Sequence, residues 1–277
     1  MPSPRVHHLN CATMHPPLGR LIGSDVGPLA RGTFVAHCLL LETERDGLVL
    51  VDSGFGAADV RDPRRIPAGF RLLVAPAFDA AEPAHARVQA LGHRPEDVRH
   101  IVVTHLDLDH AGGLVDFPWA AVHLHAAEHD AAMRRASLQE KTRYLPVQWA
   151  HGPRWETYAD EGDDFFGLGA VRPLRGVAAD VALVPLHGHT RGHSAVAVKD
   201  GTGWLLHAGD AYFHHTELDR PRRCPPGLDL FQRTVAMDER ARRRNQSRLR
   251  DLRATRPDDV AIFSAHDPAE LLPYAGS

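Results

Sequence analysis

The sequence has few of the features that most simply classify a chain. Its 277 residues include only three cysteines, Cys11, Cys38 and Cys224. Their number is odd, their spacing is wide and no CxxC pair occurs, which argues against a disulfide framework or a cysteine zinc site. No apolar run approaches the roughly 18 residues that a membrane span needs. The opening MPSPRVHHLN has no basic segment followed by an apolar stretch, so no signal peptide is expected. The expectation is a cytoplasmic protein with no membrane partner. Neither sign of charge dominates: 32 Lys and Arg stand against 35 Asp and Glu, a net charge of -3. No general affinity for nucleic acid follows from that balance.

Histidine is in excess, with 20 residues against 4 Tyr and 4 Trp. It is the commonest metal ligand and titrates near neutral pH, so the spacing of these residues becomes the question. Overall composition, 43% hydrophobic and 24% charged, suits a folded chain. The length suits one large domain or two small ones, and a single domain over 1–277 is expected. Phe34–Glu42 and Leu48–Val51 are apolar runs around an Asp-Gly turn and read as a hairpin, ended by Asp52-Ser53-Gly54. Helices are expected over 83–91, 128–135 and 238–253. Strands are expected over 100–104, 120–125, 181–186, 195–199, 204–207 and 260–264. This mixture points to sheets flanked by helices in a layered α/β or α+β domain. The Gly-, Asp-, Trp- and Pro-rich stretch 146–175 reads as an active-site loop region.

Four motifs carry chemistry. The sharpest is THLDLDHAGG, which puts His105, Asp107, Asp109 and His110 within six residues directly after a strand. Alternate positions 105, 107 and 109 project to one side of an extended loop, and His110 is free to serve a second ion. A polar loop capping a helix explains one such Asp, not four ligand-type residues together. The others are HGHTRGHS, with His189 and His193, HAGDAY, with Asp210, and SAHDP, with His266. The last two also follow strands. Convergence of all four on one site is the economical reading.

These motifs resemble those of the metallo-β-lactamase fold hydrolases, over most of the chain from Asp52-Ser53-Gly54 to the final SAHDP. The resemblance implies a four-layer αββα sandwich with two divalent metal ions at one edge between the sheets. Against the family's HxHxDH, the motif here reads HxDxDH. By the resemblance, His105, Asp107 and His193 hold the first ion, Asp109, His110 and His266 hold the second, and Asp210 bridges them. His189 is then nearby rather than a ligand. Zinc is the expected metal. Asp107, a harder ligand than imidazole, brings iron or manganese into consideration.

The implied activity is hydrolysis by metal-activated water, with Asp109 orienting the nucleophile and Tyr212 donating to the developing oxyanion. The substrate is expected to be a small molecule with an ester-like bond, foremost a lactone of the acyl homoserine type. β-Lactamase-like, thioesterase-like and diiron redox chemistry are the alternatives. Phe117, Trp119, Trp149, Trp155, Phe165 and Phe166 are candidate pocket walls. The arginine-rich stretch 240–256 reads as a solvated helix face rather than a nucleic-acid surface. The oligomeric state is open, with a homodimer among the options.

Overall fold

A computed structural model of the chain describes residues 3–274, apart from 28 and 179 and, beyond the backbone, 170–172. Two six-stranded sheets form the centre. The first contains β1 (Arg5–Met14), β2 (Phe34–Glu42), β3 (Leu48–Val51), β4 (Val98–Val102), β5 (Ala121–His125) and β6 (Arg154–Tyr158), in that spatial order. The second contains β7 (Asp163–Phe165), β8 (Leu168–Pro173), β9 (Val181–Pro185), β10 (Ser194–Asp200), β11 (Gly203–His207) and β12 (Val260–Phe263), ordered 12-11-10-9-8-7. β1 to β3 pair antiparallel and β3 to β6 parallel, while β11 and β12 form a parallel pair at the edge of the second sheet.

Strand alternation builds the layers. On β2, Leu39 and Leu41 face the second sheet, whereas Cys38 and Leu40 face the helices outside. On β9, Val181 and Leu183 face inward, whereas Ala182 and Val184 face outward. Each leucine or valine among these, fully buried, contributes about 1.5–3 kcal/mol. The short helices α1 (Ala57–Arg61), α2 (Ala68–Val74), α3 (Ala84–Ala90), α4 (Leu108–Ala111), α5 (Ala126–Arg134) and α6 (Leu138–Arg143) accompany the first sheet. The later helices α7 (Pro226–Val235), α8 (Glu239–Thr255) and α9 (Pro268–Leu271) accompany the second. Leu249 and Leu252 of α8 pack on the outer face of that sheet, and Ala84, Val88, Ala131 and Ala132 of α3 and α5 cover the first. The arrangement is the four-layer αββα sandwich of the metallo-β-lactamase fold. Among the described residues no helix is long and apolar enough to cross a membrane.

Some local readings differ. Stretch 146–175 supplies β6 to β8 and the passage between the sheets, not a loop over the site. On α8, Arg240, Arg244, Arg253 and Arg256 are solvated as expected, but Arg242 is 1% exposed and donates to Gln232 Oε1 at 2.6 Å.

One buried carboxylate ties the loops at the end of the first sheet. Glu128 is fully enclosed and accepts from Leu106 N at 3.0 Å, Gly192 N at 3.0 Å and the Tyr144 hydroxyl at 3.0 Å. Replacing it by glutamine turns one acceptor into a donor facing a backbone N–H. Glu128→Gln is expected to lower unfolding free energy by about 1–3 kcal/mol in urea titration; an unchanged midpoint would show that the loops are held by other contacts.

Candidate metal centre

The parallel pairs β3/β4 and β11/β12 bring four strand ends to one edge between the sheets. Asp52 follows β3, the 104–110 loop follows β4, Asp210 follows β11 and His266 follows β12. The β9–β10 turn brings in His189. Backbone bonds join the sheets here: Ser194 N donates to Thr104 O at 2.9 Å, and His37 N donates to Ala265 O at 2.9 Å.

Two groups of ligand atoms result, each converging within 4.8 Å: His105, Asp107, His189 and Asp210 in one, Asp109, His110 and His266 in the other. Asp210 lies between them. Its Oδ2 is 3.3 Å from His189 Nε2 and 3.8 Å from His105 Nε2, whereas its Oδ1 is 3.2 Å from His110 Nε2 and 3.1 Å from His266 Nε2. Asp109 Oδ2 is 3.6 Å from His266 Nε2.

Surrounding hydrogen bonds assign the imidazole protons. Asp52 accepts from Thr104 N at 2.7 Å, Thr104 Oγ1 at 2.8 Å and His110 Nδ1 at 2.8 Å. A carboxylate only accepts, so His110 Nδ1 carries hydrogen. With its own proton on Asp52, the Thr104 hydroxyl accepts from His105 Nδ1 at 2.9 Å. His266 Nδ1 donates to Val35 O at 2.7 Å. All three rings therefore aim Nε2 at carboxylates, a position that either a proton or a divalent cation can occupy. His105 Nε2 and Asp210 Oδ1 are buried without a hydrogen-bond partner. Nitrogen and oxygen donors in this arrangement fit divalent ions.

The electrostatics agree. Burial works against an imidazolium at His110, yet Asp210 and Asp52 outweigh it and hold its proton affinity well above the ordinary histidine range. His266 is raised in the same way by Asp210 and Asp109. Burial would raise Asp210, but His266, His110 and His189 hold it well below the usual carboxylate range.

The site brings together His105, Asp107, Asp109, His110, Asp210 and His266. It does not bring in His193 as a ligand. His193 Nδ1 donates to Leu186 O at 3.0 Å, and its Nε2 accepts from Asp210 N at 2.9 Å, so both ring nitrogens are taken by backbone. Burial and the neighbouring His105 and His189 push its pKa well below the ordinary value. Its place is taken by His189, whose Nε2 is 3.0 Å from Asp107 Oδ2. Gly209, at φ 52°, permits the close approach, since a Cβ there would lie 2.7 Å from His193 Nε2. Tyr212 is also displaced from its expected role. It is fully buried in the outer core of the second sheet, and its hydroxyl donates to Glu270 Oε1 at 2.8 Å and Oε2 at 3.0 Å.

The ligand cluster floors a cavity of about 410 Å³ walled by Met14, Phe34, Phe70, Leu73, Phe213 and Phe231, among others, with Arg143 and Thr142 at its side. None of the six aromatics expected as walls lines it. Phe117 and Trp149 are core residues with Trp155 packed against them, and Trp119 lies in a separate polar cleft with Arg45, Arg99 and Arg154. Phe165 packs in the second-sheet core, and Phe166 lies against it. The true walls come from separate segments that share no motif.

Residues 31–266 match the model of the metallo-beta-lactamase superfamily. The chain is 43% identical over 268 residues to a probable metallo-hydrolase of Mycobacterium tuberculosis, covering 96% of this chain and 81% of that protein. It is 32% identical over 178 residues to an N-acyl homoserine lactonase of Bacillus cereus, covering 64% of this chain and 63% of that one. A solved N-acyl homoserine lactone hydrolase, with N-hexanoyl-L-homoserine at its catalytic metal centre, superposes with a TM-score of 0.73 at 18% identity. The match covers 99% of this chain and 97% of that one.

Two predictions follow from the geometry. His189→Ala is expected to lower zinc retained per chain after dialysis while leaving the metal-free melting temperature nearly unchanged; His193→Ala is expected to lower that temperature first. The reverse pattern would return the ligand role to His193. The second concerns Glu270, whose carboxyl burial pushes up to about 7. Unfolded, it releases its proton near 4.5. Between those values the folded chain holds the extra proton, so stability falls as pH rises, and above them the loss is constant. Glu270→Gln should remove roughly 3 kcal/mol of that decline, read from urea midpoints on either side of the window; an unchanged slope would rule Glu270 out as its source.

Proposed function

Because the chain belongs to the metallo-beta-lactamase superfamily, we propose that this metallo-hydrolase opens an ester-like bond in a small amphiphilic substrate, foremost a lactone bearing an acyl chain. The observation that carries the reading is the junction of a ligand cluster with an apolar cavity of about 410 Å³. An acylated lactone uses both halves, with its ring at the polar floor and its chain along Phe34, Leu73, Phe213 and Phe231. The likeness to N-acyl homoserine lactonases supports the same choice.

His105, Asp107, His189 and Asp210 would hold one divalent ion, and Asp109, His110 and His266, with Asp210 shared, would hold the other. Zinc is the first choice, and the carboxylate at Asp107 keeps iron and manganese as alternatives. When bound, the ions supply Lewis-acid polarisation of the carbonyl and lower the pKa of water towards about 7. Asp109, 8% exposed at the cavity floor, accepts a proton from the attacking water. It returns that proton to the alkoxide released as the ring C–O bond breaks. The aromatic wall excludes bulk water and strengthens the electrostatics of the floor. Asp52 holds His110, and through Thr104 also His105, in the orientation this requires.

The test is a zinc-loaded preparation assayed on acyl homoserine lactones of increasing chain length, with thioesters, β-lactams and phosphodiesters alongside. Lactone opening is expected, with kcat/KM rising until the chain fills the cavity. Asp109→Asn is expected to lower kcat by about 10²–10⁴-fold. A zinc-bound chain inert on every lactone would sink the lactonase assignment.

A further inference from the structure

Asp107 departs from the histidine of the motif it resembles, and the structure sets a guanidinium against it. Arg143 Nε lies 3.1 Å from Asp107 Oδ1. The other oxygen, Oδ2, faces the opposite way, 3.0 Å from His189 Nε2 and 3.3 Å from His105 Nε2. We propose that Arg143 and Asp107 form a matched pair, with Arg143 a positioning residue that restricts Asp107 to one inward oxygen and offsets its charge. The pair then presents to the first ion what a single imidazole nitrogen would. This inference rests on the two-ion reading above.

Three observations support it. First, Arg143 is immobilised. Its Nη1 donates to His189 O at 2.8 Å and its Nη2 to Val235 O at 2.8 Å. These two hydrogen bonds and the ion pair of Nε with Asp107 engage all three guanidinium nitrogens, a planar fork that lysine cannot reproduce. Second, the helix carrying it is fixed. α6 opens on a capping box in which Ser137 Oγ accepts from Glu140 N and Glu140 Oε2 accepts from Ser137 N. Arg191 then pairs with the other oxygen of Glu140. Third, the charge is felt. The Arg143 side chain is 9% exposed and that of Asp107 17%, so solvent screens the pair poorly. The centre carries three carboxylates, Asp107, Asp109 and Asp210, and Arg143 cancels the charge that a histidine at 107 would not bring. By gripping the His189 carbonyl, the same side chain also sets the backbone of a second ligand in that group.

The experiment compares wild type, Asp107→His, Arg143→Gln and the double variant, reading zinc affinity by chelator competition and zinc per chain by elemental analysis. Asp107→His alone leaves a buried guanidinium facing imidazole and cation. It is expected to weaken the more loosely held ion by about tenfold or more. Adding Arg143→Gln should bring affinity back to within about threefold of wild type, the non-additivity expected of a contacting pair. Wild-type affinity in Asp107→His alone, or no recovery in the double variant, would overturn the pairing and leave the two-ion reading intact. A wild-type chain that holds no zinc, iron or manganese would overturn both. Should Asp107→His fail to fold, Arg143→Gln decides alone. Without the guanidinium, Asp107 and the His189 backbone lose their anchor, so the rise in melting temperature on adding zinc should fall below that of wild type, and an equal or larger rise counts against the pair.

Discussion

The metal centre depends first on Asp52. This buried carboxylate, at φ 55° on the end of β3, accepts from the amide and hydroxyl of Thr104 and from the ring of His110. Positive φ is unusual for a residue with a side chain, but aspartate tolerates it better than most. The conformation turns the carboxylate across to the neighbouring parallel strand. Burial penalises its charge, but His110 foremost outweighs the penalty and holds it below the ordinary carboxylate range. One anion thereby assigns tautomers on two imidazoles, directly on His110 and through Thr104 on His105. Without it, those rings have no fixed direction in which to present a lone pair.

The inward orientation has a cost in the metal-free chain. Ring nitrogens of His105, His110 and His266 crowd against the carboxylates of Asp107, Asp109 and Asp210, and some of these atoms have no hydrogen-bond partner. An unpaired buried polar atom costs about 1–3 kcal/mol. The apolar layers on both faces of each sheet supply the stabilisation that tolerates this. Cation binding removes the conflict and couples affinity to folding. The centre sits at the sheet edge, on loops anchored by Glu128, Asp52 and Arg143.

The legible part of the site was local. Ligand-type residues crowd into short strand-end motifs, so THLDLDHAGG, HAGDAY and SAHDP could be read as one centre from residue chemistry and position alone. The choice between His189 and His193 could not. It turns on whether a ring finds backbone partners, and His193 finds two, Leu186 O and Asp210 N, both supplied by tertiary structure. The cavity was invisible for the same reason, because its walls come from β1, β2, α2, α7 and the segment after β11. In the fold, the central apolar strands were plain. β1 was hidden because His7, His8 and Asn10 interrupt its pattern, although His7 is buried against Glu42. α7 was hidden because Pro225 and Pro226 read as breakers, although proline at the first helical position is compatible with a helix start.

Asp107 shows why motif and geometry must be read together. As a sequence change it suggests a harder, more anionic site and a shift away from zinc. In three dimensions Arg143, thirty-six residues later and in no motif, stands on its outer oxygen. The inner oxygen is the only part of the side chain that the imidazoles meet. The proposed pairing makes metal preference a matter of net charge and donor count at the ion, not of the residue type at position 107 taken alone. By that measure the pairing would bring the centre closer to a histidine-type site than its sequence implies.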